Sequence, residues 1–360
     1  VEAMGTGESD AYIYSRGGNP SRRALAAKIA ALEGWDDTGG SPTTSAEIFS
    51  SGMAAITAAL MALAKAGDHI VAQRTLYGSA DHLISDVLPA YGITTSRVPA
   101  LEPTALEAAL ETRPNTKVVY LETPANPTMA IIDIARTAEI AHRYGARVVV
   151  DNTFATPIVQ RPLALGADVV VHSTTKYING HGTVIGGAAV TNDPVLMEEG
   201  IGSLIKFTGG VPSAFDCWLT NLGLKTLPLR MKQHVASAMS VAGFLHTHPG
   251  VAATHYPGLA SHPGHEVATR QMDGFGAMLA FDLGSYKAAV RFLDRVELCT
   301  LAVSLGNIDT LVEHPASMTH RVVDPQDRAE AGITDGLVRM SVGLEAVEDI
   351  LADVAQALDQ

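Results

Sequence analysis

Cysteine is nearly missing from this chain of 360 residues: only Cys217 and Cys299 occur. Two thiols cannot form a disulfide framework, so a reducing, cytoplasmic compartment is expected, with both as buried bystanders. Cationic charge is also short, with 25 Lys and Arg against 38 Asp and Glu, a formal net charge of −13. Neither nucleic acid nor an anionic membrane surface is therefore expected as a partner. Long apolar runs are lacking as well: the longest, Met53 to Ala64, is broken by Thr57. It falls short of the ~18 residues of a membrane span. No internal period marks a repeat architecture. His246, His248, His255, His262 and His265 cluster in a Pro- and Gly-rich stretch. They lack the Cys or acidic partners of a zinc pattern, so they read as solvated loop histidines and no metal is expected. An initiator Met is missing too, and Val1 opens no signal-peptide pattern; we expect the true N-terminus to belong to a longer parent chain.

What is present is core. Hydrophobic residues make up 47% of the chain, which excludes a disordered protein, and the length allows two or three domains. Residues 1–20 are polar and Gly-rich and read as an arm without a core of its own. A helix is expected from Ser21 to Glu33 with Ser21 as N-cap, followed by loop chemistry over Asp36–Ala46. Candidate strands are His69–Ala72, Thr94–Val98, Val118–Glu122, Arg147–Asp151, Asp168–His172 and Val184–Val190. Candidate helices are Ser51–Ala66, Glu102–Glu111 and Asp133–Tyr144. Three of the strands are continuous apolar runs, as strands of a parallel sheet buried on both faces are. The fold class is therefore α/β, doubly wound and mostly parallel. After Leu227 come a long helix (Leu229–Thr247), a looser stretch and a last helix (Glu345–Leu358), read as a smaller C-terminal domain. Met53, Met61 and Met278 read as core filler.

In open α/β sheets the functional groups gather past the carboxyl ends of strands. Here three strands end in Glu122, in Asp151 and in Ser173-Thr174-Thr175-Lys176. Burial frees a lysine amine by lowering its pKa, whereas a buried aspartate needs a cation to stay ionised. Pyridoxal phosphate asks for both, a lysine for its aldehyde and an acid for its ring nitrogen. Its phosphate needs a helix N-terminus with small residues, which Ser50-Ser51-Gly52-Met53 supplies ahead of an alanine-rich helix. Ser173 and Thr175 could add hydroxyls to the same phosphate, and Tyr77 could stack on the ring.

Eight ordered strings carry a further resemblance: YSRGGNPS (14–21), SSGMAAI (50–56), TLYG (75–78), ETPANP (122–127), VVVDNTFATP (148–157), HSTTKYINGHG (172–182), SLGNIDTLVEHPASMTH (304–320) and GLVRMSVGLE (336–345). Together they resemble the cystathionine/methionine-metabolism family of pyridoxal-phosphate enzymes, over essentially the whole chain. The resemblance implies the aspartate-aminotransferase-like fold type I, and a homotetramer built as a dimer of catalytic dimers. It further implies an arm (1–20) reaching the neighbour's site, a cofactor domain (21–226) and a C-terminal domain (227–360). It makes Lys176 the Schiff-base lysine, Asp151 the partner of the ring nitrogen, and Tyr77 the stacking tyrosine that helps protonate the leaving group. Ser51, Gly52, Met53, Ser173 and Thr175 match the phosphate cup. Tyr14 and Arg16 match the pair that crosses the dimer interface to the neighbour's cofactor and substrate. Arg339, with Ser304 nearby, matches the substrate-carboxylate clamp, Asn126 contacts cofactor and substrate, and Glu122 lies beside the site.

The implied reaction is γ-elimination on a methionine-like or homoserine-derived amino acid. Val303 resembles the methionine γ-lyases, where an apolar residue suits a substrate without a distal amine. Ser79 stands where those lyases carry a characteristic cysteine, and Phe207 stands about where they carry an Asp. GHGTVIGG resembles the sulfhydrylases and VPSAFDCW the cystathionine enzymes. The alternatives are γ-replacement on an O-acylhomoserine and a canavanine γ-lyase. Outside catalysis, a metal-binding or non-catalytic homologue is the contrasting class.

Overall fold

A computed structural model describes residues 12–34, 44–321 and 325–359. A seven-stranded sheet holds β1 (Ser45–Phe49), β2 (His69–Gln73), β3 (Thr94–Val98), β4 (Thr116–Glu122), β5 (Arg147–Asp151), β6 (Val169–Ser173) and β7 (Gly187–Thr191) in the order β1-β7-β6-β5-β4-β2-β3. Strands β2 to β6 pair in parallel. Strand β7 runs antiparallel to both β6 and β1.

The continuous apolar runs acquire a reason in the faces they serve. Val118, Tyr120, Val149, Val169 and Val171 pack into a core on one face, beneath helix α2 (Gly52–Leu63). Val119, Leu121, Val148 and Val150 pack into a core on the other, beneath α3 (Pro103–Thr112) and α4 (Ile134–Arg143). Alternate residues of one strand thus enter opposite cores, and each buried side chain contributes about 1.5–3 kcal/mol.

A second sheet has the order β10-β11-β12-β9-β8, formed by β8 (Ala253–His255), β9 (Met278–Asp282), β10 (Thr300–Leu301), β11 (Leu311–Glu313) and β12 (Leu337–Ser341). Helix α5 (Leu227–Thr247) and α6 (Val347–Leu358) pack with it. A third core, running from Leu25 through α5 to Val354, joins the two sheets. Among the described residues no helix is long and apolar enough to cross a membrane.

Three expectations need correction. The first helix, α1 (Pro20–Glu33), is capped by Asn19, whose side chain accepts from the Arg22 amide at 2.9 Å, and not by Ser21. Pro20 occupies the first helical position, where its missing N–H costs nothing, so the cap falls one residue before it. The stretch read as loop over Asp36–Ala46 ends inside β1, while residues 36–43 lie outside the described residues. Met61 is exposed and not core, whereas Met278 is buried, as are Cys217 and Cys299.

Candidate active site

The carboxyl ends of β4, β5 and β6 bring Glu122, Asp151 and Ser173 to one edge of the large sheet. Lys176 follows in the turn after β6, and its Nζ donates to Ser304 Oγ at 2.7 Å. Burial pulls the Lys176 amine down to about 8, the nearby Arg339 adds to the fall, and Glu313 opposes it. An amine in that range is neutral often enough at neutral pH to act as a nucleophile.

Ser304 has φ 86°, the left-handed region that a non-glycine residue occupies at a cost of about 1–3 kcal/mol. Both ends of the residue are tied down: its hydroxyl accepts from Lys176, and its carbonyl accepts from Arg339 Nη2 at 2.6 Å. Arg339 Nη1 donates to Asn126 Oδ1 at 2.8 Å and lies 3.1 Å from Glu313 Oε1. Glu313 and Arg339 sit directly opposite each other on β11 and β12. Burial raises the Glu313 carboxyl and Arg339 opposes that rise. The Nε of Arg339 is buried without a partner.

Asp151 accepts from the Thr153 amide at 2.9 Å, and no ion pair among the described residues neutralises it. Burial raises its carboxyl, countered by the Thr153 hydrogen bonds and the field of His172. His172 itself is held by a wholly buried contact to Glu33 Oε1 at 2.6 Å.

The N-terminus of α2 lies against the Lys176 turn. Ser51 caps it by accepting from the Ala54 amide at 3.1 Å. A Cβ on Gly52 would stand 2.9 Å from the Ser173 Cβ, and one on Gly187 would stand 2.2 Å from the Ser51 carbonyl oxygen. Thr175 Oγ1 is knotted to Gly186, donating to its carbonyl at 3.2 Å and accepting from its amide at 3.0 Å. Met53 is half-buried at this end and packs against the α2 core. Tyr77 is half-exposed, with its backbone N–H donating to the Glu122 carboxyl.

The chain therefore gathers Lys176, Ser304, Arg339, Asn126, Asp151, Ser51, Gly52, Ser173 and Thr175 around the edge where the two sheets meet, with Tyr77 tied to Glu122. It does not gather Tyr14 and Arg16. Arg16 Nη1 donates to the Lys206 carbonyl at 2.6 Å, and its guanidinium lies 5.3 Å from the Tyr14 ring centroid. Tyr14 borders a cavity of about 760 Å³ together with Arg22, Glu47 and Lys206. That cavity is not the strand-end site; Lys176 does not line it. Val303 is half-exposed beside Ser304. Reading the sequence missed Glu313 as the partner of Arg339 and Thr153 as the support of Asp151. The signal for Glu313 was its place at the end of the short apolar run Leu311-Val312.

The donor set fits pyridoxal phosphate: a depressed lysine amine, a buried acid awaiting a cation, and a capped helix terminus without intervening side chains. Comparison with known proteins agrees. A family model described as Cys/Met metabolism PLP-dependent enzyme matches residues 1–359. The chain belongs to that family, and pyridoxal phosphate is its cofactor. An L-methionine gamma-lyase of Porphyromonas gingivalis is 49% identical over 355 residues, 98% of this chain and 86% of that one. A cystathionine gamma-lyase of Bacillus subtilis is 45% identical over 353 residues, 98% of this chain and 90% of that one. Among solved structures, cystathione gamma lyase (CalE6) from Micromonospora echinospora superposes with TM-score 0.91 at 42% identity, covering 98% of this chain and 89% of that one. The fold is type I, and the enzyme is a pyridoxal-phosphate-dependent lyase of the γ-eliminating kind.

Proposed function

We propose that the enzyme acts on a methionine-like or homoserine-derived amino acid, releasing a 2-oxo acid, ammonia and the group carried at Cγ, with water consumed. The observation that carries this reading is the chain from Arg339 through the Ser304 carbonyl and hydroxyl to Lys176 Nζ. It sets a carboxylate clamp one residue away from a nucleophilic amine. Arg339 would hold the substrate carboxylate as a planar fork. Lys176 Nζ would take the proton from Cα, for which its depressed pKa suits it. The bound cofactor supplies an aldehyde for the amine and an electron sink for the bonding pair released at the substrate carbons. Asp151 would keep the ring nitrogen protonated, and the Tyr77 hydroxyl would deliver a proton to the leaving group. Ser51, Gly52, Met53, Ser173 and Thr175 would hold the phosphate, and Asn126 would meet the cofactor and substrate through the end of its amide not bonded to Arg339.

We further infer an arm (1–20), a cofactor domain (21–226) and a C-terminal domain (227–360), assembled as a cytoplasmic homotetramer. Tyr14 and Arg16 would complete the neighbour's site, consistent with their lack of contact with Lys176 in their own protomer. Val303, beside Ser304, favours elimination from a substrate without a distal amine, since its apolar side chain offers such a charge no partner. The second reading, γ-replacement on an O-acylhomoserine, draws on a cystathionine gamma-synthase of Mycobacterium leprae that is 45% identical. Methionine, O-acetylhomoserine, cystathionine and canavanine, each supplied with and without a thiol, separate the two. The expected result is 2-oxo acid from the methionine-like substrate without thiol, or homoserine if canavanine is the substrate. Turnover only in the presence of a thiol would overturn the lyase reading.

A further inference from the structure

Glu122 has no part in the steps above, yet it occupies one of the most expensive positions in the molecule. It is 5% exposed and stands directly beside Asp151 in the parallel pairing of β4 and β5. Two buried carboxyls side by side repel when both are charged. A merely structural acceptor for a backbone amide could be a glutamine or a serine at far lower cost.

Its contacts show what it holds. Both carboxyl oxygens face one donor, the Tyr77 backbone N–H, at 2.9 and 3.1 Å. The Tyr120 hydroxyl donates to Oε1 at 3.3 Å. Tyr77 is the N-cap of the short helix Gly78–His82 and receives no side-chain cap of its own. A second clasp grips the same segment from β2: the Glu122 amide donates to Gln73 Oε1 at 2.8 Å, and Gln73 Nε2 donates to the Thr75 carbonyl at 2.6 Å. The chain from Arg74 to Tyr77 is thus pinned at both ends by polar groups at strand termini. The Tyr77 ring beyond it remains half-exposed.

We propose that Glu122 is a positioning residue for the aromatic wall of the site: its carboxyl fixes the Tyr77 backbone, and its charge, set against that of Asp151, governs how firmly. An ionised carboxylate accepts an N–H bond about twice as strongly as a neutral acid. A cation held at Asp151 relieves the repulsion, lets Glu122 ionise, and so tightens the loop that carries the ring. The groups whose charge faces Glu122 are Asp151, Tyr120 and Arg97. The inference rests on Tyr77 being the ring that meets the cofactor. Cofactor retention in Tyr77→Ala tests that premise separately, because exchange of the Tyr77 amide reports the anchor whatever the ring does.

The experiment is hydrogen exchange of the Tyr77 amide, corrected for intrinsic rate, in the loaded and cofactor-stripped enzyme. Glu122→Leu should speed exchange on the order of tenfold, the ratio that one charge-assisted hydrogen bond maintains. Glu122→Gln, which keeps an acceptor oxygen, should restore protection at low pH. In the stripped wild type protection should grow as the pH rises through about 8, the value to which burial and Asp151 push the Glu122 carboxyl. Glu122→Gln should show no such growth. Wild-type exchange in Glu122→Leu would overturn the anchor, and Glu122→Gln tracking the wild type through that range would overturn the role of charge. Should the leucine variant fail to fold, the glutamine comparison decides alone.

Discussion

The Nζ of Lys176 and the Oγ of Ser304 lie 2.7 Å apart, joining the turn after β6 to the loop after β10. The serine holds the amine in place, and Arg339 behind it discourages a second positive charge. A buried lysine so placed reacts as the free base at a pH where an exposed one does not.

The rate at which the stripped enzyme captures pyridoxal phosphate should follow the neutral fraction of that amine. Below about 8 it should rise tenfold per pH unit, and above about 8 it should level off. A stopped-flow absorbance series measures it. A rate still climbing steeply at the ordinary lysine value of about 10.4 would contradict the depression.

Arg339 is 4% exposed, and its partner Glu313 is fully buried. Arg339→Ala strands that carboxyl and should cost about 3–5 kcal/mol of stability, read by denaturant unfolding. Arg339→Lys keeps a charge but loses the fork, so KM for the amino acid should rise on the order of tenfold while kcat falls less. An unchanged KM would remove Arg339 from the substrate clamp.

A carboxyl whose folded pKa is raised contributes most stability below its unfolded value and loses it as pH climbs toward the folded one. For Glu122 that window runs from 4.5 to about 8. The stripped wild type should therefore lose thermal stability across this window more steeply than Glu122→Gln, which has no proton to release. Parallel melting-temperature profiles of the two proteins would deny Glu122 its proton.

Arg16→Ala and Lys176→Ala should each be inactive, the second also without the visible absorption of a covalently held cofactor. Mixed and allowed to exchange subunits, they should regain activity, because a hybrid dimer contains one site with both residues intact. No recovery after proven exchange would confine Arg16 to its own protomer, where it touches Lys206 and Tyr14.

The sheet was largely legible because β4, β5 and β6 are runs of Val and Leu that enter a core on each face, a pattern few other environments require. Strand β1 was not, since Ser45 and Glu47 interrupt it and its pairing with β7 is a long-range event. Lys176 and Asp151 could be read from their place after apolar strands. The Glu313–Arg339 pair could not, because it depends on the register of two antiparallel strands. The hold of Glu122 on Tyr77 was hidden for another reason: its acceptor is a side chain and its donor is backbone, which carries no sequence signature.

The close approach of Gly187 to the Ser51 carbonyl marks where the molecule resists alteration. A side chain at 187 would drive Ser51 from its place at the head of α2, and one at Gly52 would collide with Ser173. Diversity introduced there in a directed-evolution library would be spent on unfolded or cofactor-free variants. Val303, Ile185 and Phe207 lie open to solvent, so a search for new leaving groups has its freedom at these positions.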